Sequence, residues 1–65
     1  MKYKYDFKKM TDSDKGFITA MILDDLWKID KEAYYIYSDT WDAENVCENI
    51  YLNKGIESLI EFLKA

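Results

Sequence analysis

An alternation of aromatic and charged residues opens the chain over residues 2–8. Tyr3, Tyr5 and Phe7 fall on one side of an extended backbone, and the positions around them hold lysine or aspartate. A period of two residues is typical of a half-buried β-strand. The pattern therefore predicts a first strand over residues 2–8.

A second strand-like run covers residues 33–38. In an extended chain Ala33, Tyr35 and Tyr37 would face one way, with Tyr34 and Ile36 facing the other. Tyrosine and isoleucine are enriched in strands, and large apolar groups on both faces are typical of a strand that is covered on both sides. The run predicts a second strand, more central than the first.

Between these runs, apolar residues recur every three or four positions over residues 12–30. The stripe consists of Ile18, Ile22, Leu26 and Ile29, widened by Leu23 and Trp27. That spacing predicts an amphipathic helix, and Thr11 with Asp14 forms a capping-box-like pair at its start. Gly16 opposes this helix by about 1 kcal/mol relative to Ala. The alternative is a hairpin loop ending at Gly16, followed by a strand over 17–23.

Two more helices are predicted in the last third of the chain. The first has an apolar face made by Ala43, Val46, Cys47 and Ile50 and an outer face made by Asp42, Glu44, Asn45, Glu48 and Asn49. Gly55 suits the left-handed cap at its C-terminal end. The second has Ile56, Leu59, Ile60 and Leu63 on its apolar side. Because the link is short, the two helices should be antiparallel neighbours or form a corner.

Together these elements predict one small α+β domain over residues 1–65, in the order strand, helix, strand, helix, helix. The alternative is a three-stranded antiparallel meander (residues 2–9, 17–23 and 33–38) packed on the two C-terminal helices. A two-stranded sheet is only marginally stable alone. Strand pairing across a homodimer is therefore expected, and it would also help a chain of 65 residues to bury enough surface.

The composition excludes most catalytic and metal-binding chemistry. There is no histidine and a single cysteine, Cys47, so the common nucleophile–base pairs and structural zinc sites are missing. Cys47 falls on an apolar helix face and is expected to be a buried small hydrophobe. The neighbours Asp24 and Asp25 would diverge by about 100° on a helix. Residues 12–23 lack the glycine and glutamate positions of a calcium loop. We expect no catalytic residue, no metal and no cofactor.

The net charge of −4 is unevenly distributed. Residues 1–32 carry seven lysines and seven acidic residues, which cancel, whereas residues 33–65 carry two lysines and six acidic residues, a sum of −4. The chain has no arginine, and direct nucleic-acid binding requires clustered Lys and Arg. Direct nucleic-acid binding is therefore not expected.

Acidic and aromatic residues of the second half indicate a protein-binding surface. The candidate partner-binding residues are Asp39, Asp42, Glu44, Glu48, Glu57, Glu61, Tyr34 and Trp41. A negative patch steers association with a basic surface, and Tyr and Trp are favoured interface anchors. We expect a non-enzymatic protein-binding module whose partner is a protein with a basic surface. The alternative interpretation of the carboxylates is a face that only keeps the protein in solution.

The absence of Pro, Arg and His and the abundance of Lys, Ile, Asp and Tyr are typical of AT-rich coding, as in low-GC bacteria and their phages. The specific expectation is a phage-type inhibitor that occupies the nucleic-acid-binding surface of a host protein. One alternative is a structural or assembly subunit that acts as a homo-oligomer. Another is a small DNA-binding regulator, which is disfavoured because Glu57 and Glu61 stand where a recognition helix needs Lys or Arg.

Location is predicted from cysteine use and hydropathy. A lone cysteine and no signal peptide favour a reducing compartment. The longest uncharged apolar run, residues 17–23, is far below the roughly 20 residues that span a bilayer. The chain is expected to be cytoplasmic, with no membrane contact.

Overall fold

The computed structural model describes residues 4–40 and 44–65 and is helical throughout its regular elements. The helices are α1 (Asp12–Ile29), α2 (Lys31–Asp39), α3 (Val46–Lys54) and α4 (Ile56–Lys64), preceded by a short 3₁₀ helix at Phe7–Lys9. No strand occurs in the two described ranges. The predicted α+β fold is therefore wrong, and so is the alternative with a three-stranded meander.

Helix α1 confirms the helix predicted over 12–30 and excludes the hairpin alternative. Thr11 is its N-cap, and the hydroxyl oxygen Oγ1 accepts a hydrogen bond from the Asp14 amide at 3.1 Å. Asp12 and Asp14 lie in the first turn, where the positive end of the helix dipole favours carboxylates. Ile22 and Leu26, four residues apart, are completely buried. The three-four periodicity was thus a correct guide for Ile22 and Leu26, whereas Ile29 and Trp27 of the same predicted stripe are 58% and 45% exposed.

A single residue, Asp30, separates α1 from α2. Its amide donates to the Leu26 carbonyl at 2.8 Å, which completes the end of α1. Its carboxylate oxygen Oδ1 accepts from the Ala33 amide at 3.2 Å and caps the start of α2. Asp30 has an extended backbone, with φ −152° and ψ 96°. One aspartate therefore turns the chain by ending one helix and nucleating the next.

Helix α2 occupies the place of the second predicted strand, 33–38. Ala33 and Tyr37 are buried, whereas Tyr35 is 58% exposed. A strand would have put these three residues on one face, but a helix groups residues four apart. The chain adopts the arrangement that buries Ala33 and Tyr37 against the other helices. Packing thus overrides the strand preference of tyrosine, which is strongly dependent on context.

The first predicted strand, residues 2–8, is also absent from the part of the segment that the structure describes. Residues 2 and 3 lie outside the described ranges. The Asn53 side chain accepts from the Tyr5 amide at 2.9 Å and donates to the Tyr5 carbonyl at 2.8 Å. Asn49 accepts from the Phe7 amide at 2.8 Å. Two asparagines on α3 therefore supply the hydrogen bonds that a neighbouring strand would otherwise provide.

Helices α3 and α4 confirm the two helices predicted at the C-terminal end. Gly55 joins them with φ 98°, in the region that favours glycine. Its amide donates to the carbonyls of Ile50 and Tyr51, and its carbonyl accepts from the Leu59 amide at 3.3 Å. The predicted cap at Gly55 is correct. Asn49, predicted on the outer face of α3, is instead 2% exposed.

The core lies where α1 meets the other three helices. Its buried members are Ile22, Leu26, Ala33, Tyr37, Cys47 and Leu59. Cys47 is 2% exposed, which confirms that it is a buried small hydrophobe. Phe7 is buried as well, held against α3 by the asparagine contact. The hydrophobic core of the described residues therefore consists of a small number of buried side chains.

We expect Asn49→Ala to lower the free energy of unfolding by about 1–3 kcal/mol, because it leaves the buried Phe7 amide without its acceptor. Asn53→Ala, which removes hydrogen bonds to the exposed Tyr5 backbone, should cost less. Urea denaturation monitored by circular dichroism measures both. Equal losses of unfolding free energy for the two variants would show that burial of the Asn49–Phe7 hydrogen bond does not increase its contribution to stability.

Candidate protein-binding surface

Two exposed glutamates lie one helical turn apart on α4. Glu57 and Glu61 have their side chains in solvent, as the sequence predicted. Neither glutamate takes part in an ion pair among the described residues. Ile56 and Ile60 form the adjacent row on the same helix. Helix α4 thus carries an acidic row beside an aliphatic row.

The end of α1 completes an open groove beside these rows. The groove has a volume of about 390 Å³ and is lined by Ile29, Asp30, Ile56, Glu57, Ile60 and Glu61. Ile29 belongs to the apolar stripe of α1, yet it is 58% exposed. Because α1 stops at Asp30, no further turn covers Ile29. We call this feature the α1–α4 groove, with an aliphatic floor and glutamates along one side.

An ion-pair cluster fixes the end of α4 next to the groove. The Lys64 ammonium lies 2.9 Å from Asp30 Oδ2 and 3.1 Å from Glu32 Oε1. The hydrogen bond from Lys64 and the backbone bond from Ala33 lower the pKa of Asp30. The carboxylates of Asp30 and Glu32 raise the pKa of Lys64. Asp30 is therefore neutralised within the protein, whereas Glu57 and Glu61 take no part in the ion pairs of the described residues.

Glu48, also predicted to bind a partner, takes part in a hydrogen bond within the protein. Its carboxylate accepts a hydrogen bond from the Tyr37 hydroxyl at 2.5 Å. Burial, with the Glu48 contact as the second cause, raises the pKa of Tyr37 strongly. The outer-face prediction is wrong here, because Glu48 is half-buried and holds α3 to α2.

The remaining predicted carboxylates lie on other elements. Glu44 is exposed, precedes α3 and pairs with Lys8 at 3.5 Å. Asp39 is exposed at the last residue of α2. Asp42 and the predicted anchor Trp41 lie outside the described residues. A role in binding stays a prediction for every candidate residue. Of these residues, Glu57 and Glu61 line the same groove.

An aromatic cluster forms where α1 turns into α2. The Trp27 ring lies edge-on to Tyr34, with centroids 5.1 Å apart, and Tyr34 lies edge-on to Tyr35 at 5.4 Å. The Lys31 ammonium is 5.0 Å from the Trp27 ring centroid, a cation–π contact. Tyr34 is half-buried, whereas Trp27 is 45% exposed. This cluster is a second exposed patch, and Tyr34 is its inner member.

Sequence reasoning missed the groove residues Ile29, Ile56 and Ile60 as site members. All three satisfy the apolar period of their helices, which indicated a core position. The one available signal was Asp30, a good N-cap residue that could have marked the end of α1. The aromatic cluster was missed because a strand would have put Tyr34 and Tyr35 on opposite faces.

Residues 4–40 and 44–65 contain no group of side chains suited to holding a metal ion. Over the same part of the chain, no helix is both long and apolar enough to cross a bilayer. Comparison with known protein families, with characterised proteins and with solved structures found no match.

We expect Tyr37→Phe to reduce stability by about 1–3 kcal/mol at neutral pH, because Glu48 loses its donor. The pKa of Tyr37 is higher in the folded state than in the unfolded chain. The contribution of the Tyr37 hydroxyl to stability is therefore complete below about pH 10 and declines as the pH rises further. The stability difference between the wild type and Tyr37→Phe should therefore shrink above that pH. Urea titrations at neutral and alkaline pH measure it.

The matched control for this pH series is Tyr35→Phe, which alters an exposed tyrosine of the same helix. Its stability difference from the wild type should stay small at every pH. If the Tyr37→Phe difference also stayed constant into strongly alkaline solution, that result would contradict a raised pKa of Tyr37 in the folded state.

Proposed function

We propose that this protein is a non-enzymatic binding module that docks α4 against a positively charged surface of another protein. The observation that carries the proposal is the pair Glu57 and Glu61. Both are exposed on one side of an aliphatic groove. Their neighbours Asp30 and Glu32 are already paired with Lys64.

Helix stability favours only one of these two glutamates. Glu57 lies in the first turn of α4, where the helix dipole favours a carboxylate, whereas Glu61 lies beyond that turn. Like charges four residues apart on a helix cost a few tenths of a kcal/mol, whereas a Glu–Lys pair would gain about as much. Asp24 and Lys28 on α1 form such a favourable pair at 3.0 Å. A surface that attracts and orients a basic partner offers an explanation, because complementary charges increase association rates and suppress wrong partners.

The adjacent aliphatic residues favour a protein partner. Protein interfaces combine an apolar centre with a polar rim, and Ile29 with Ile56 and Ile60 supplies the apolar part here. The specific form of the proposal is an inhibitor of phage type that covers the nucleic-acid-binding surface of a host protein. Carboxylates in a row offer Lys and Arg side chains an alternative to phosphates.

For the main proposal, we expect Glu57→Gln with Glu61→Gln to weaken the partner complex about tenfold at low salt, as two exposed charge contacts are lost. The partner is captured from source-cell extract, purified and titrated by calorimetry. The control double variant Asp12→Asn with Asp24→Asn changes the net charge equally on α1 and should leave the affinity nearly unchanged.

Raised salt supplies the second half of this test. At about 1 M salt the Debye length falls to about 3 Å, so the wild type and the Glu57/Glu61 double variant should bind alike. An affinity that responds neither to the double variant nor to salt would contradict a role for these carboxylates.

The second candidate is a subunit that assembles with its own copies. It is favoured by Phe17 and Met21, one turn apart on the solvent side of α1, which are 67% and 38% exposed. Exposed large apolar side chains in one place mark interaction surfaces. The expected result is a sedimentation coefficient that rises with protein concentration and that Phe17→Ser returns to the monomer value. A coefficient that stays at the monomer value at every concentration of the wild type would exclude this candidate.

A further inference from the structure

The α1–α4 groove has a regular geometry that restricts its occupant. Ile56 and Ile60 are four residues apart, as are Glu57 and Glu61, so each row repeats with an axial rise of about 6 Å. The two rows lie side by side along α4. Ile29, contributed by α1, widens the aliphatic floor.

An occupant must satisfy both rows at once. A strand alternates its side chains between two faces and offers one row toward the groove, whereas a helix offers adjacent rows with residues three and four apart. Its aliphatic row can pack on Ile56 and Ile60, while a neighbouring cationic row reaches Glu57 and Glu61. Helices pack in this way when the side-chain ridges of one fit the grooves of the other.

The charges along α4 select the sign of that second row. The glutamates are exposed and unpaired within the described ion pairs, and Lys64 is held by Asp30 and Glu32 at the end of α4. A second α4 from another copy would bring glutamates against glutamates. A row of lysine or arginine on the occupant would instead attract Glu57 and Glu61. It would form charge-assisted hydrogen bonds with their carboxylates.

We infer that the α1–α4 groove binds an amphipathic helix of the partner protein, with an aliphatic row next to a row of Lys or Arg. This inference rests on the proposed function and adds the chemistry and conformation of the partner segment. It makes Ile29 a specificity-determining contact, because Ile29 is the exposed floor residue that α4 itself does not supply.

The test uses two synthetic peptides of about 16 residues, long enough to form a helix. One contains Leu, Lys and Ala with Leu and Lys in adjacent rows at three-four spacing; the other has the same composition in scrambled order. Each is titrated into the isotopically labelled full chain at low salt and followed by amide NMR shifts. The patterned peptide should bind at least about tenfold more tightly, with the largest shifts around Ile29, Ile56 and Ile60.

Paired variants locate the binding site. Ile29→Ser should abolish the preference for the patterned peptide. Phe17→Ser, which alters an exposed apolar residue elsewhere on α1, should keep that preference. Glu57→Gln with Glu61→Gln should weaken both peptides, because both carry the same positive charge.

The possible failures separate the inference from the proposed function. Equal binding of the two peptides, weakened equally by the glutamate variants, would overturn the helix-in-groove inference and leave the attraction to basic surfaces intact. If neither peptide bound, the inference would be wrong, and the affinity of the captured partner would still decide the proposed function. Groove shifts that appear with protein concentration alone would identify a second copy as the occupant and overturn the inference.

Discussion

The buried face of α1 is the contact on which the structure depends. Ile22 and Leu26 are completely buried, and α1 contacts each of the other three helices. Burying an aliphatic side chain of this size contributes about 1.5–3 kcal/mol. Ala33, also completely buried, has a side chain small enough for close approach of α2. A short chain without a disulfide thus relies on packing among its helices, and α4, like α1, contacts the other three.

The small size of the domain also leaves apolar side chains at the surface. Few residues of a small domain can be covered completely, and Ile29 loses its cover because α1 ends at Asp30. Asp30 also receives the hydrogen bond of Lys64, at 2.9 Å. One residue therefore stops a helix, starts another, positions α4 and exposes the floor of the groove. The candidate site is a direct consequence of how the core is closed.

The helices were accessible to sequence reasoning where apolar spacing and capping agreed. Thr11 and Gly55 mark helix ends correctly, and Glu57 and Glu61 are exposed as predicted. The two strand predictions failed because neither the short alternating pattern of residues 2–8 nor the short apolar run of residues 33–38 excludes other structures. In the N-terminal segment, Asn49 and Asn53 satisfy the backbone of Phe7 and Tyr5 from 42 and 48 residues away. Such long-range side-chain bonds leave no local signal.

The sequence by itself determined three helices, the buried cysteine and the exposed acidic row of α4, since spacing and end-capping act between near neighbours. Only the tertiary structure decided that residues 33–38 are helical, that Glu48 faces Tyr37 and that Ile29 joins Ile56 and Ile60. These outcomes depend on which surfaces of distant segments meet. Burial and hydrogen bonding between such segments outweigh local preference, because each contact contributes more than the fraction of a kcal/mol that separates one local conformation from another.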